Sequence, residues 1–403
     1  MQSLMRETEA LRGLKFRSQV QVTIEDRAAM RAYVERAIDD EQLARATRRY
    51  LALGALDPQT DVRALLVSVM EEELIGYYDP IEKRLAVRND IARALDSKPV
   101  HDERSLAWRA TVVHELVHAL QDQHFALGES IKRLRSTDAD NAFGALVEGE
   151  ATLVMLAYTA AQAGSSLAAL TEHPEQIRSI MTRTPEQLTG ALRRAPALLR
   201  EPLLFRYREG AHFCAELYRA HGWTSIDRAH AAPPKATASI RHAARYLAGE
   251  REPSLPVPTI EQLGGSNFAQ VDEDVLGALE LSLMLGSAAL DAQNVVARWR
   301  GDRYAVFEKA GHLASVWWLR FDNKSSARMV TMAFERLADG ARKTVQSGNL
   351  VLVTRGLDDA GFAAAEAWFQ HASTLLPRAA AVRKSAQRPP HRGDPLASAM
   401  HRH

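Results

Sequence analysis

The stretch Thr111–Phe125 reads TVVHELVHALQDQHF and narrowly confines what the chain around it can fold into. Val112, Val113, Leu116, Val117, Ala119 and Leu120 recur at helical spacing, so His114, Glu115 and His118 ride on one apolar helix. Two histidines four residues apart share a helix face about 6 Å apart along the axis. Two imidazole nitrogens so placed can reach one Zn²⁺ at roughly 2.0–2.1 Å each. Burying two histidines and a glutamate in an apolar helix is costly unless a metal or hydrogen bonds satisfy them, so the fold has to supply partners from elsewhere. Glu115 stands between the histidines, near enough to take a proton from a water whose pKa the ion lowers to about 7.

A catalytic zinc takes three protein ligands and keeps a position open, which leaves one ligand to find. His124 follows His114 by ten residues, the spacing of HExxHxxGxxH, but Gln121 fills the glycine slot that would let the chain leave the helix. With Gln121 there the helix is expected to continue and carry His124 past the ion. The other candidate is Glu148 in Leu146-Val147-Glu148-Gly149-Glu150-Ala151, thirty residues after His118 and on the next expected helix, with Glu150 as an alternative ligand or a support.

HELVH followed by ALVEGEA resembles the gluzincin class of zinc metallopeptidases, whose second helix supplies a glutamate. The membrane alanyl aminopeptidase family writes that segment NEGFA, and the resemblance implies Glu148 as the ligand, with a phenylalanine where Glu150 stands. Thermolysin-like relatives carry an aspartate four residues after the ligand glutamate to orient a ligand histidine. Thr152 occupies that place here, which leaves the supporting carboxylate unassigned.

The rest of the chain sets bounds. With 403 residues, 46% of them hydrophobic, it is expected to form two or three domains with sizeable cores. A net charge of +1 provides no global field for nucleic acid or an anionic membrane, and neither is expected as a partner. The single Cys214 excludes an intramolecular disulfide and a zinc–thiolate site. The opening MQSLMRETEALRGL lacks the charged and apolar regions of a signal peptide, and no span of about 20 apolar residues follows. No export signal or integral membrane segment is therefore expected in the chain as given, and a cell-envelope or exported location stays open if its start has been trimmed.

In chain order, Val20, Val22 and Ile24 read as a short strand leading into one helix to about Leu53, and a second helix fills roughly Asp61 to Glu73. Ile75 to Val87 reads as a hairpin turning at Asp79-Pro80, either purely structural or an edge strand that binds extended peptide. The HExxH helix is expected over Asp102–Phe125 and the second zinc helix over Asp138–Ala163. Residues 202–253 look like a segment following the zinc helices in a little-characterised group of bacterial HExxH proteins, described as lipoproteins or metallopeptidases. That group has a Gly-Phe-Tyr-Asp-Pro-like hairpin, matched by Gly76–Pro80, and HALQDQHF, matched by His118–Phe125. Of its later pattern Pro233, Pro234, Thr237, His242 and Tyr246 match, while Ala236, Ala238, Ser239, Ala243 and Arg245 depart. The resemblance runs from about residue 10 to about residue 340. A peptidase needs a donor for the oxyanion of its tetrahedral intermediate. His242 and Tyr246 are the candidates, with Tyr207 and Tyr218 as rivals.

Pro253, Pro256 and Pro258 form a linker, and residues 260–376 alternate strands and helices with Trp299, Trp317 and Trp318 expected in the core. After Arg378 the chain turns basic and Pro-rich, as a disordered tail does. The expectation is an α+β, mainly α fold: an N-terminal α/β subdomain with a hairpin over 1–100, a helical zinc-binding domain of the zincin-like gluzincin type over 101–252, a small α+β domain over 253–376, and the tail over 377–403. The expected function is zinc-dependent hydrolysis of peptide bonds in a peptide or protein substrate. One Zn²⁺ per chain would sit on His114, His118 and Glu148, with Glu115 as general base and His242 and Tyr246 as further catalytic candidates. The alternative is a zincin-like metal-binding scaffold without turnover.

Overall fold

The computed structural model describes residues 1–97, 102–183, 187–188, 190–250, 255–259, 261–263, 268–286, 292–337 and 339–376. The expected tail over 377–403 and Pro253 of the expected linker lie outside the described residues. The fold is mixed α+β and mainly helical, with 63% helix against 15% strand. No described helix is long and apolar enough to cross a membrane.

Near the N-terminus the structure departs from the single long helix expected up to Leu53. Two helices, Arg27–Ala37 and Asp40–Leu53, stand there instead, because the Asp39 side chain accepts from the N–H groups of Glu41 and Gln42 and starts a new helix. An N-terminal helix, Gln2–Arg12, precedes them and ends at Gly13 in the left-handed region, φ +72°. Strands β1 (Gln21–Glu25), β2 (Gly76–Asp79) and β3 (Arg84–Arg88) form a sheet in the order β1-β3-β2. β1 runs parallel to β3, and β2 pairs antiparallel with it as the expected hairpin. The hairpin turns because Asp79 accepts from the N–H groups of Ile81 and Glu82, with Lys83 at φ 55°.

Three long helices make the helical body. The HExxH helix spans Glu103–Phe125, started by an Asp102 cap and stopped at Ala126 with φ 53°. A second helix, Thr137–Gln162, is capped by Ser136. The third, Ala197–His221, carries Pro202 inside it, a residue that masks its continuity in the sequence. The second and third helices touch backbone to backbone, since a Cβ on Gly149 would lie 2.1 Å from Gly210 C and one on Gly210 would lie 2.1 Å from Ala145 O. Glycine at both positions is what lets the helix that carries Glu148 approach the helix that carries Tyr207.

Strands β4 (Ala269–Asp274), β5 (Trp299–Lys309), β6 (His312–Phe321), β7 (Arg342–Ser347) and β8 (Leu350–Arg355) form an antiparallel sheet in the order β4-β5-β6-β8-β7. Alternate residues face opposite sides, and both sides are covered. Trp318 and Leu352 pack on the helix Asp359–Leu375, while Trp317, Leu319 and Val353 share a core with Tyr50, Leu53 and the helix Gly277–Leu285. Trp299, Trp317 and Trp318 are core residues, as expected. Residues near Tyr50 share that core with the C-terminal sheet, so the expected division at residues 100 and 253 does not separate independent cores.

This junction buries acids. Glu280 has no exposed surface and accepts a hydrogen bond from Tyr50, and Asp302 accepts from the N–H groups of Leu276 and Gly277. Burial pushes the Glu280 carboxyl up from 4.5 to about 8 and Asp302 up to about 7. A carboxyl whose folded pKa is raised contributes stability that is full below its unfolded value and is lost as pH climbs through the folded value. The melting temperature should therefore fall between about pH 5 and about pH 8, and Glu280→Gln should flatten that fall and be the more stable protein at the alkaline end. A melting curve with the same pH dependence in both proteins would refute this origin of the slope.

Candidate metal centre

His114 and His118 leave the HExxH helix on one face, and Glu148 meets them from the antiparallel second helix. His114 Nε2 lies 3.1 Å from Glu148 Oε2 and 3.1 Å from His118 Nε2, and His118 Nε2 lies 3.4 Å from the same oxygen. The donor atoms of all three residues fall within 4.8 Å of one another, a grouping that could hold a metal ion. His114 is buried, and the other two are partly so. Two imidazole nitrogens and a carboxylate oxygen aimed at one point bring lone pairs together, which is stable only with a cation or shared protons between them. Burial opposes charge on Glu148 and on His118, yet their mutual attraction outweighs it: Glu148 is held well below the usual carboxylate range and His118 is pushed up to about 9. The same attraction would act on a divalent ion set between the three donor groups.

Glu115 points off the same helix toward the hairpin, where its Oε2 accepts the Tyr78 N–H of β2 at 3.0 Å. Burial raises its pKa, with His118 and His114 opposing the rise. The hairpin is latched to the helix a second time, because Asp122 accepts from both Tyr78 Oη at 2.9 Å and Lys83 Nζ at 2.5 Å. Tyr207 of the third helix stacks over His114 with ring centroids 5.8 Å apart, and at 39% exposure it remains open to solvent. The charge of Glu148, then burial and Glu115, push its phenol well above the ordinary range, so the hydroxyl stays protonated and able to donate.

The oxyanion candidates named from the sequence, His242 and Tyr246, have partners outside the cluster. Tyr246 donates its hydroxyl to the Ala232 carbonyl at 2.8 Å and sets its ring edge against Phe213. His242 faces a cationic group, and partial burial with Arg245, Arg241, Arg178 and Arg300 holds its imidazole below the ordinary range. The segment that carries both packs on the third helix. Tyr218 packs on Trp223. His124 lies on the unbroken end of the HExxH helix beside the Lys15 carbonyl, 2.8 Å away, as the Gln121 argument required.

One family model, described as "Domain of unknown function (DUF8575)", matches residues 263–384. That match lies C-terminal to every residue of the cluster. No curated protein and no solved structure matches the chain.

Behind the cluster lies a support that the sequence concealed. Gln121 Oε1 stands 2.8 Å from His118 Nδ1, and Gln121 Nε2 donates to Val147 O at 2.9 Å and to Glu150 Oε2 at 2.8 Å. Glu150, with no exposed surface, also meets His230 Nε2 and the Arg12 guanidinium. Burial resists its charge, but Arg12 and His230 prevail and hold it far below the ordinary range. Arg12 in turn pairs with Asp227 and lies over the Trp223 ring at 4.5 Å. Only the position of Glu150 two residues beyond Glu148 hinted at a second role, and nothing local marks Arg12 or His230.

Removing one partner of a buried pair leaves an uncompensated charge. Arg12→Met should cost about 3–5 kcal/mol in urea unfolding, whereas Asp227→Asn, whose side chain is 39% exposed, should cost less than about 1 kcal/mol. Equal losses for the two variants would show that Glu150 is satisfied without Arg12.

Proposed function

We propose that the protein is a zinc-dependent peptidase of the gluzincin type, with a zincin-like core formed by the HExxH helix, the second helix and the β1-β3-β2 sheet. The observation that carries this reading is the convergence of His114, His118 and Glu148 beside a Glu115 that touches none of the ion's expected places and is held by a strand edge. His114, His118 and Glu148 would hold the ion. When bound, zinc polarises a water and a carbonyl oxygen and lowers the pKa of the water toward neutrality.

The remaining work falls to the chain. Tyr78 N–H holds Glu115 Oε2, which leaves Oε1 as the basic oxygen that accepts the proton of the attacking water. The burial that raises the Glu115 pKa favours its taking that proton, and the same carboxyl then hands the proton to the departing amine nitrogen. Tyr207 Oη is the donor for the carbonyl oxygen as it gains charge. β2 is an edge strand, and a peptide lying along its outer side would pass Glu115.

Purified protein should bind about one zinc ion, and Glu148→Ala should weaken that binding severely while His124→Ala leaves it nearly unchanged. Glu115→Gln should keep the zinc and lower hydrolysis of a mixed peptide library by about 10²–10⁴. Tyr207→Phe should lower it by about 10²–10³, and Tyr246→Phe should cleave like the native protein. If the zinc-loaded native protein cleaves no peptide, or Glu115→Gln cleaves as fast, the protein is a metal-binding scaffold and the peptidase reading falls.

A further inference from the structure

We infer that Gln121 positions the metal ligand His118, and that the buried Arg12–Glu150–His230 group holds Gln121 in register. This rests on the reading that the cluster binds zinc. The argument begins with the amide's polarity. Gln121 Nε2 faces two acceptors, the Val147 carbonyl and the Glu150 carboxylate, so the nitrogen must be on that side and Oε1 must face His118. An amide oxygen only accepts. With an ion bound, His118 Nδ1 therefore carries the ring proton, and its Nε2 is left to present a lone pair to the point it shares with His114 and Glu148. Gln121 in this way settles both the tautomer and the ring orientation of a ligand.

An amide suits the place because the cluster already holds two carboxylates, Glu115 and Glu148, and a third beside them would raise their mutual repulsion. Glu150 supplies its negative charge one residue further back, where Arg12 and His230 match it. The chain that results joins four helices: Arg12 from the N-terminal helix, Gln121 from the HExxH helix, Glu150 from the second helix, and His230 from the helix Trp223–Ala231. His114 has no equivalent, since its Nδ1 is buried without a hydrogen-bond partner among the described residues. The support is one-sided, and it stands where Thr152 does not provide the carboxylate that thermolysin-like relatives place on this helix.

The test uses the full chain. Zinc affinity is measured by chelator competition for the native protein and for Gln121→Met, which keeps length and apolar packing but loses both hydrogen-bonding ends. Gln121→Met should bind zinc about 10–100-fold more weakly. In proton–nitrogen spectra of the zinc-loaded native protein, the His118 Nδ1–H should appear as a protected ring resonance. It should vanish by solvent exchange in Gln121→Met, a change that a packing role would not produce. If the native protein binds no zinc, the metal reading fails and this role with it. If it binds zinc while Gln121→Met binds equally well, the positioning role alone fails. Should Gln121→Met not fold, the native spectrum still decides, because a His118 ring with no protected Nδ1–H overturns the inference.

Discussion

A fully buried carboxylate sets the terms for the helical body. Glu150 has no exposed atom, and an isolated charge there would be prohibitive, so cationic and hydrogen-bonding partners must arrive from other parts of the chain. They come from residues 12, 121 and 230, which obliges the N-terminal helix, the HExxH helix and the helix after Gly222 to meet the second helix at one point. Glu148 sits two residues earlier on the same helix and faces the histidines instead. Two glutamates on one stretch of helix thus do separate jobs: one belongs to the cluster that could hold an ion, the other to the scaffold that keeps the cluster's geometry.

The same economy of contacts links the small sheet to the site. Tyr78 offers its backbone N–H to Glu115 and its phenol to Asp122, and Lys83 at the hairpin turn joins the second of these. A shift of the hairpin along the helix would break both contacts together, which keeps the strand edge and the carboxylate at a constant separation. From the opposite side, the Gly149–Gly210 approach brings the third helix close enough for Tyr207 to lie over His114. Any side chain at either glycine would separate those helices and move the phenol away.

The C-terminal sheet contributes no residue to the cluster, yet it is not an appendage. Arg49 pairs with Asp272 and Asp274 of β4, Ser315 donates to the Ala52 carbonyl, and Tyr50 lies in one core with Trp317. Asp138, at the start of the helix that carries Glu148, receives hydrogen bonds from Thr237 and donates its own N–H to the Val275 carbonyl beside β4. The matched domain therefore braces the helix that bears Glu148 at its N-terminal end.

How much of this was legible beforehand follows from the range of each interaction. The HExxH helix, its antiparallel partner, the hairpin and the buried tryptophans are written in local periodicity, caps and turn residues, and the sequence alone determined them to within a residue or two. Gln121 was readable as the residue that keeps the helix going past His118, because helix continuation is a local property. Its hydrogen bond to His118 depends on Glu150 and Val147 across the helix pair, and Arg12 reaches Glu150 over 138 positions, so no spacing rule exposes them. Tyr207 and Tyr246 look alike as sequence. Only the close crossing at two glycines put the first over the cluster, while packing on Phe213 drew the second away. Spacing along a helix decides which side chains share a face, but which faces meet is decided by the packing of distant elements and the pairing that buried charges demand.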